Sequence, residues 1–368
     1  MDWTVPFVNY PKQFRAMEPE IMSTVREVLS RGDLMLRDQL RDFETHFAAF
    51  VGTRFAVGVS NCTDGLQLAL HAAGIGAGDE VITVAHTFVA TAAAIHHTGA
   101  APVLVDIGDD HNMDLDGLEA AFTPRTRAII PVHLNGRLCD MRRLMTIARR
   151  RGVIVIEDSA QALGGAYEGQ RGGSFGLAGC FSFYPAKLLG AYGDGGAVTT
   201  NDEELAGKLR SLRDHGRLPG GEIAGWSFNS RLDNLQAALL DLKLRRLSEW
   251  IARRRSLAAL YHERLSGLAP LRLPPPPADG PYFDIFQNYE VEAEDRDRLV
   301  ERLRARGVEI LIPWGGRGVH QFKSLGLTHH RLPRTDTLFR GVLMLPLHAE
   351  LEDKDVLYTA DVIREFYG

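Results

Sequence analysis

From about residue 54 to residue 200 the chain alternates short, β-branched apolar runs with stretches carrying Ala, Leu, Met and Arg at helical spacing. The apolar runs predict strands at residues 55–59, 81–84, 102–105, 128–132, 153–156 and 180–183. The intervening pattern predicts helices at 66–73, 89–97, 115–122 and 141–150. Strands that are apolar throughout and alternate with helices argue for a mostly parallel sheet covered by helices on both faces. In such sheets ligands gather beyond the carboxyl ends of the strands.

After residue 200 the pattern changes. Long helices are expected at 202–215, 232–247 and 250–265, and the last runs into Pro274, Pro275, Pro276 and Pro277, which no helix or strand can cross. Beyond the prolines the spacing predicts strands near 288–291, 308–312 and 342–345, a helix near 295–306 and a final helix to Phe366. The expected organisation is a large α/β domain over residues 1–245, with an N-terminal arm of about 50 residues, and a small α+β domain over 246–368.

Charge and composition narrow the class. A formal net charge of −5 gives no reason to expect nucleic acid or an anionic membrane as partner. The basic runs at 149–151 and 253–255 read as solvated helix faces. Three widely spaced cysteines, Cys62, Cys139 and Cys180, fit no disulfide framework and point to a reducing compartment. The N-terminus has no leader pattern, and no stretch approaches the ~18 apolar residues of a membrane span. A cytoplasmic protein is expected.

Four segments carry candidate chemistry. In VIVIEDSAQ, four apolar residues run into Glu157 and Asp158, so an acid stands at a strand's carboxyl end, either as a ligand-facing carboxylate or as a helix cap. Lys187 lies among Phe181, Phe183, Tyr184, Leu188 and Leu189 and is followed by Gly190, Gly193, Gly195 and Gly196. Apolar company lowers an amine's pKa, which imine formation requires; the other reading is a lysine snorkelling at the edge of the core. In VGVSNCTDGLQLAL a strand ends at Ser60 and a helix starts around Thr63, giving either a phosphate cup or plain capping. In AHTFVATAAAI, His86, Thr87 and Phe88 follow a strand, and Phe88 either covers a planar ligand or belongs to the core. GIGAGD (residues 74–79) runs from helix to strand, the reverse of a dinucleotide fingerprint.

All four segments fall at carboxyl ends of strands in one sheet. They offer a phosphate cup, a planar cover, an acid and an amine, the set that pyridoxal 5'-phosphate requires. No metal is expected, because His96–His97 and His329–His330 are adjacent pairs without HExxH or Cys/His spacing.

At these residues the chain resembles the sugar aminotransferases of the DegT/DnrJ/EryC1/StrS family, a branch of the fold-type I pyridoxal-phosphate enzymes. The resemblance covers nearly the whole chain. It rests on SNCTDGLQLAL, GDEVITVAHTFVATAAAI, TPRTRAIIPVHLNGRLCDM, VIEDSAQALGG, FSFYPAKLLGAYGDGGAVTTND and FNSRLDNLQAALLDLKL. It implies a seven-stranded, mostly parallel sheet between helices plus the small C-terminal domain. It further implies that Lys187 forms the imine, Asp158 pairs with the pyridine nitrogen, Gln161 meets the ring hydroxyl and Phe88 stacks on the ring. Thr63, Asp64 and Ser182 would hold the phosphate, and Asn229 would reach that of a neighbouring subunit, so a homodimer with shared sites is expected. His86, Arg231, Trp314 and His320 are the substrate-side candidates.

The implied reaction moves an amino group from glutamate, through pyridoxamine 5'-phosphate, to a nucleotide-linked keto-sugar. GDGGA (residues 193–197) resembles the branch that aminates a 3-keto sugar; relatives acting at C4 more often carry GEGGA. The alternatives are a 4-keto-sugar aminotransferase and a cofactor-binding regulator without turnover. A pyridoxamine-dependent dehydratase is disfavoured, because those relatives replace the lysine. The chain departs from the family where many relatives have a VHYP-like segment: it reads LIPWGGRGVHQF, with Pro313 and Trp314 in place of the histidine and tyrosine.

Overall fold

The computed structural model describes residues 3–368. Its main sheet contains β1 (Phe55–Val59), β2 (Glu80–Val84), β3 (Ala101–Val105), β4 (Thr126–Ile129), β5 (Ile154–Asp158), β8 (Ala178–Ser182) and β9 (Gly196–Thr200). The spatial order is β1-β9-β8-β5-β4-β2-β3. Six strands share one direction and β9 runs against both its neighbours. Between β5 and β8 a short hairpin, β6 (Ala166–Tyr167) and β7 (Gln170–Arg171), pairs with β11 (Tyr282–Phe283).

Alternation along the strands divides the core. Val57, Val59, Val81, Ile156, Cys180 and Val198 face α4 (Cys62–Ala72), α5 (Val89–His97) and α7 (Glu203–Leu212). On the opposite face, Ala56, Phe181 and Ala197 pack against α2 (Glu18–Arg31), α3 (Asp38–Val51) and α8 (Asn234–Leu244). Further along that face, Ile82, Ile129 and Val155 meet α6 (Met141–Arg151). The N-terminal segment adds the short helix α1 (Tyr10–Arg15).

A second sheet, β10 (Leu271–Arg272), β12 (Tyr289–Ala293) and β13 (Val342–Leu345), is antiparallel throughout. It packs its own core with α9 (Leu247–Leu265), α10 (Arg296–Ala305) and α12 (Asp353–Tyr367), and Val5 joins that core. The helix α11 (Pro333–Gly341) precedes β13. Among the described residues, no helix is long and apolar enough to cross a membrane.

Several elements differ from the pattern-based expectation. Residues 115–122 form only a 3₁₀ turn, Leu118–Ala121, which the extended Phe122 ends after four residues. Residues 308–312 make no strand: Val308 bridges Val5 and Leu311 bridges Met344 singly, so the alternation there reports burial rather than a ladder. The β4 ladder ends at Ile129, and Pro131 has no N–H to continue it. The pattern also gave no sign of β9. Its first residue, Gly196, pairs with both Val59 and Ser182, at the edge where the parallel strands end.

The loop after β4 is joined to the segment that feeds β12. Ile285 N–H donates to Gly136 O (3.1 Å) and Gln287 N–H to Asn135 O (2.9 Å). Gly136 has φ +93°, and an added Cβ would lie 2.8 Å from Ile285 Cγ1 and 2.9 Å from Gln287 N. Gly136→Ala is therefore expected to destabilise the fold by roughly 2 kcal/mol or more. Urea unfolding should show a lower midpoint at an unchanged slope.

Candidate active site

Asp158 ends β5 at the carboxyl edge of the sheet and is buried. Its Oδ2 accepts from the Thr91 hydroxyl at 2.8 Å and its Oδ1 from the Ala160 N–H at 3.1 Å. Burial pushes this carboxyl above its ordinary range, and those two hydrogen bonds, with Lys187 and His133 nearby, offset only part of the shift. Two neutral donors leave a desolvated carboxylate short of compensation, so the site favours a cationic or strongly donating group beside it.

Lys187 stands on a tight turn after β8. Its own N–H donates to Tyr184 O (2.8 Å). The Gln287 side chain clamps both neighbours, accepting from Leu188 N–H (2.9 Å) and donating to Ala186 O (3.1 Å). Gly190 lets the turn close, since a Cβ there would sit 2.2 Å from Pro185 O. Burial lowers the Lys187 pKa, opposed by Asp158 and Cys62. Amine and carboxylate thus perturb one another across one cleft.

The cup lies at the start of α4. The helix begins at Cys62 rather than around Thr63, with Asn61 as cap, its Oδ1 accepting from Asp64 N–H at 2.8 Å. The Ser60 hydroxyl is engaged by the Asp64 carboxylate and by Ser230 Oγ (2.8 Å). Asp64 therefore braces this turn through Ser60 and Asn61, at a helix start whose first N–H groups have no intrahelical partner. Gly196 lies close against this turn: a Cβ would come within 2.5 Å of Asn61 C. Ser182, at the end of β8, is half-buried and accepts from Tyr184 N–H at 3.3 Å. Phe88 is 57% exposed, an open aromatic face, with its ring centroid 5.6 Å from that of Trp314. Gln161 accepts through Oε1 from Asn135 N–H (2.7 Å) and Asn288 Nδ2 (3.3 Å), which turns its amide NH2 into the available donor.

A family model, the DegT/DnrJ/EryC1/StrS aminotransferase family, matches residues 15–364. The chain belongs to this family. It is 41% identical over 367 residues to the pleiotropic regulatory protein of Geobacillus stearothermophilus, covering 99% of this chain and 98% of that one. It is equally 41% identical over 367 residues to the dTDP-3-amino-3,4,6-trideoxy-α-D-glucose transaminase of Streptomyces venezuelae, covering 98% and 96%. The crystal structure of S. venezuelae DesV in complex with a ketimine intermediate superposes with a TM-score of 0.95, at 40% identity and 99% and 98% coverage.

The other expected site residues fall into different surroundings on this aminotransferase fold. Asn229 is exposed, and Arg231 is held by Asp214 Oδ1 at 2.9 Å. His320 is buried and its Nε2 lies 2.9 Å from Asp336 Oδ1 of α11, while its Nδ1 has no partner among the described residues. His86 is fully buried; its Nε2 lies 3.0 Å from Glu290 Oε1, and its Nδ1 accepts from Trp314 Nε1 at 3.3 Å. Sequence reasoning missed Thr91, Gln287, Asn135, Asn288, Glu290 and His111. Only Thr91 carried a signal, one helical turn after Thr87 beside Phe88.

His111 bonds through Nδ1 to Glu290 Oε1 (2.8 Å) and through Nε2 to Glu292 Oε1 (3.0 Å). Burial lowers its pKa, but these two carboxylates outweigh that and push it up to about 9. A raised histidine pKa stabilises the fold fully below its unfolded value of about 6.5, and that contribution disappears as pH rises through about 9. Wild type should exceed His111→Gln in stability by up to roughly 3 kcal/mol at pH 6. The gap should close by pH 9.5, as read from denaturant midpoints.

Proposed function

We propose that this chain transfers an amino group from glutamate to a nucleotide-linked keto-sugar at the 3-position, using pyridoxal 5'-phosphate bound between Lys187 and Asp158. The observation that carries this reading is the pairing of a depressed amine with an under-compensated buried carboxylate at the sheet's carboxyl edge. The cup at α4, the open Phe88 face and the Gln161 donor surround the same cleft and suit a planar, phosphorylated pyridine.

When bound, the cofactor supplies an electron sink and carries the amino group between the two half-reactions as pyridoxamine 5'-phosphate. The protein's own work is positional and protonic. Asp158 holds a proton at the ring nitrogen, gaining the cationic partner that its burial demands. Gln161 donates to the ring hydroxyl, and Phe88 covers one ring face. Thr63, Ser182 and the first-turn N–H groups of α4 hold the phosphate, with Asn229 reaching that of a second copy in a homodimer with shared sites. Lys187, as a lowered-pKa amine on a clamped turn, takes and returns the proton at the reacting carbon. Arg231, Trp314 and the residues behind them border the sugar side. The division into 1–245 and 246–368, with the cleft between, and a cytoplasmic setting complete the reading.

The 3-position is supported by GDGGA at 193–197 and by the dTDP-3-amino-sugar transaminase relative. A regulator without turnover is the second reading, motivated by the regulatory relative's name.

Absorbance spectra separate the two. Wild type reconstituted with pyridoxal phosphate should show a band near the visible edge that glutamate bleaches, and Lys187→Ala should show neither. Asp158→Asn should keep the cofactor but slow bleaching by about a hundredfold or more. A coloured wild type indifferent to amino donors would leave the regulator; a colourless one would remove the cofactor as well. A panel of 3-keto and 4-keto nucleotide sugars offered to the aminated enzyme then decides the position.

A further inference from the structure

Behind Phe88 runs a chain of buried and half-buried hydrogen bonds that crosses from the main sheet to the small one. The Trp314 indole N–H donates to His86 Nδ1 at 3.3 Å. An indole nitrogen can only donate, so Nδ1 carries no proton and the imidazole proton sits on Nε2. That Nε2–H points to Glu290 Oε1 at 3.0 Å. The same oxygen takes the Nδ1–H of His111 at 2.8 Å, and the His111 Nε2–H runs to Glu292 Oε1 at 3.0 Å. Every proton from Trp314 to Glu292 therefore has one defined acceptor.

Geometry at both ends shows that the chain is held rather than incidental. Trp314 has φ +53°, a left-handed conformation that a bulky residue seldom adopts unless its surroundings impose it, and His111 at the other end has φ +65°. The His86 ring meets Phe339 edge-on at 5.1 Å, and Trp314 packs beside the same buried residue. The Glu290 Oε2 is buried without a partner among the described residues, so the anchorage they give this carboxylate passes through Oε1.

A divalent ion is the rival occupant, since ligand atoms of His86, His111 and Glu290 lie within 4.8 Å of one another. Coordination through His86 Nε2 would drive its proton onto Nδ1, against the indole N–H. It would also strip the Nδ1 proton that His111 gives to Glu290. The proton arrangement therefore favours a hydrogen-bonded linkage over a metal.

We propose that Glu290 is a positioning residue: through His86 it fixes the Trp314 indole, and through Trp314 the face that Phe88 presents to the cleft. The inference rests on Phe88 as the ring cover in the proposed function.

Indole ¹⁵N labelling tests this directly, because the chain has four tryptophans and so four N–H resonances. Trp314→Phe assigns the relevant one. Glu290→Ala should move the Trp314 resonance toward the position of a water-exposed indole and leave the other three in place. Glu290→Gln, which keeps an acceptor for His86, should leave all four near their wild-type positions. In the holoenzyme the half-reaction with glutamate should slow about tenfold in Glu290→Ala and return to within about threefold of wild type in Glu290→Gln. If Glu290→Ala does not fold, His86→Phe, which keeps a ring and removes both nitrogens, carries the same test. An unmoved Trp314 resonance, or equal movement of all four, would overturn the proposal. Stoichiometric zinc kept by wild type through gel filtration and lost in Glu290→Gln would overturn it in favour of a metal site. A wild type that never forms the visible-edge band would end the aminotransfer reading, while the indole resonances would still judge the linkage.

Discussion

A carboxylate taken out of water at the end of β5 sets the terms for the rest of the cleft. Asp158 has lost bulk solvation and receives two neutral hydrogen bonds in return. Such a group is tolerated only where a cation or a strong donor can approach it. The surrounding architecture supplies that approach. α5 is oriented so that Thr91 reaches the carboxylate, and the turn carrying Lys187 is closed by Gly190 and pinned by Gln287. β9 begins at the same edge against the first turn of α4. Each feature places a polar or cationic group near one point, and none of them buries the point completely.

The neighbouring acid shows that this incompleteness is specific to Asp158. Glu157 lies on the opposite face of β5 and is fully buried. It accepts from the N–H groups of Gly173 (2.8 Å), Phe175 (2.7 Å) and Gly176 (2.9 Å), and from His133 Nε2 at 2.9 Å. Cys139 N–H donates to the other ring nitrogen of His133 at 3.3 Å, fixing its tautomer. Four donors saturate Glu157, which makes it a fastener for the 173–176 loop with nothing left for a ligand. Two adjacent carboxylates in one strand thus divide into a structural acid and an acid held open for chemistry.

The same contrast explains what the sequence could reveal. The parallel strands were legible because their apolar runs are unbroken, and Lys187 because its neighbours are too apolar for a surface lysine. β9 was hidden behind Gly193, Gly195 and Gly196, residues that weaken a strand pattern, although Gly196 is needed where the backbone meets Asn61. The sequence leaves the helix start ambiguous because both Asn61 and Thr63 are good cap residues, and only the Asn61–Asp64 bond decides between them. Gln287 and Glu290 were invisible for another reason. They act on residues 99 and 204 positions away, and in a strand reading Tyr-Glu-Val-Glu-Ala the glutamates look like an ordinary solvent-facing alternation. Tyr289, Val291 and Ala293 do face the small core, so the alternation was real; what it could not show is that the opposite face is covered too, with Glu290 buried against His86 and His111.

The cost of these arrangements bears on whether the site turns over. Holding a planar phosphorylated cofactor requires the cup at α4, an aromatic face and a donor for the ring edge. It does not require an amine to be desolvated on a turn that only glycine can close and that a side chain from a distant segment must clamp. A lysine so placed loses charge solvation and contributes nothing to the packing of the main core, so its position weakens the fold. Such a residue is kept where a neutral amine is used. A binding-only protein would be more stable with an apolar side chain at 187, and the clamp by Gln287 would then have nothing to align.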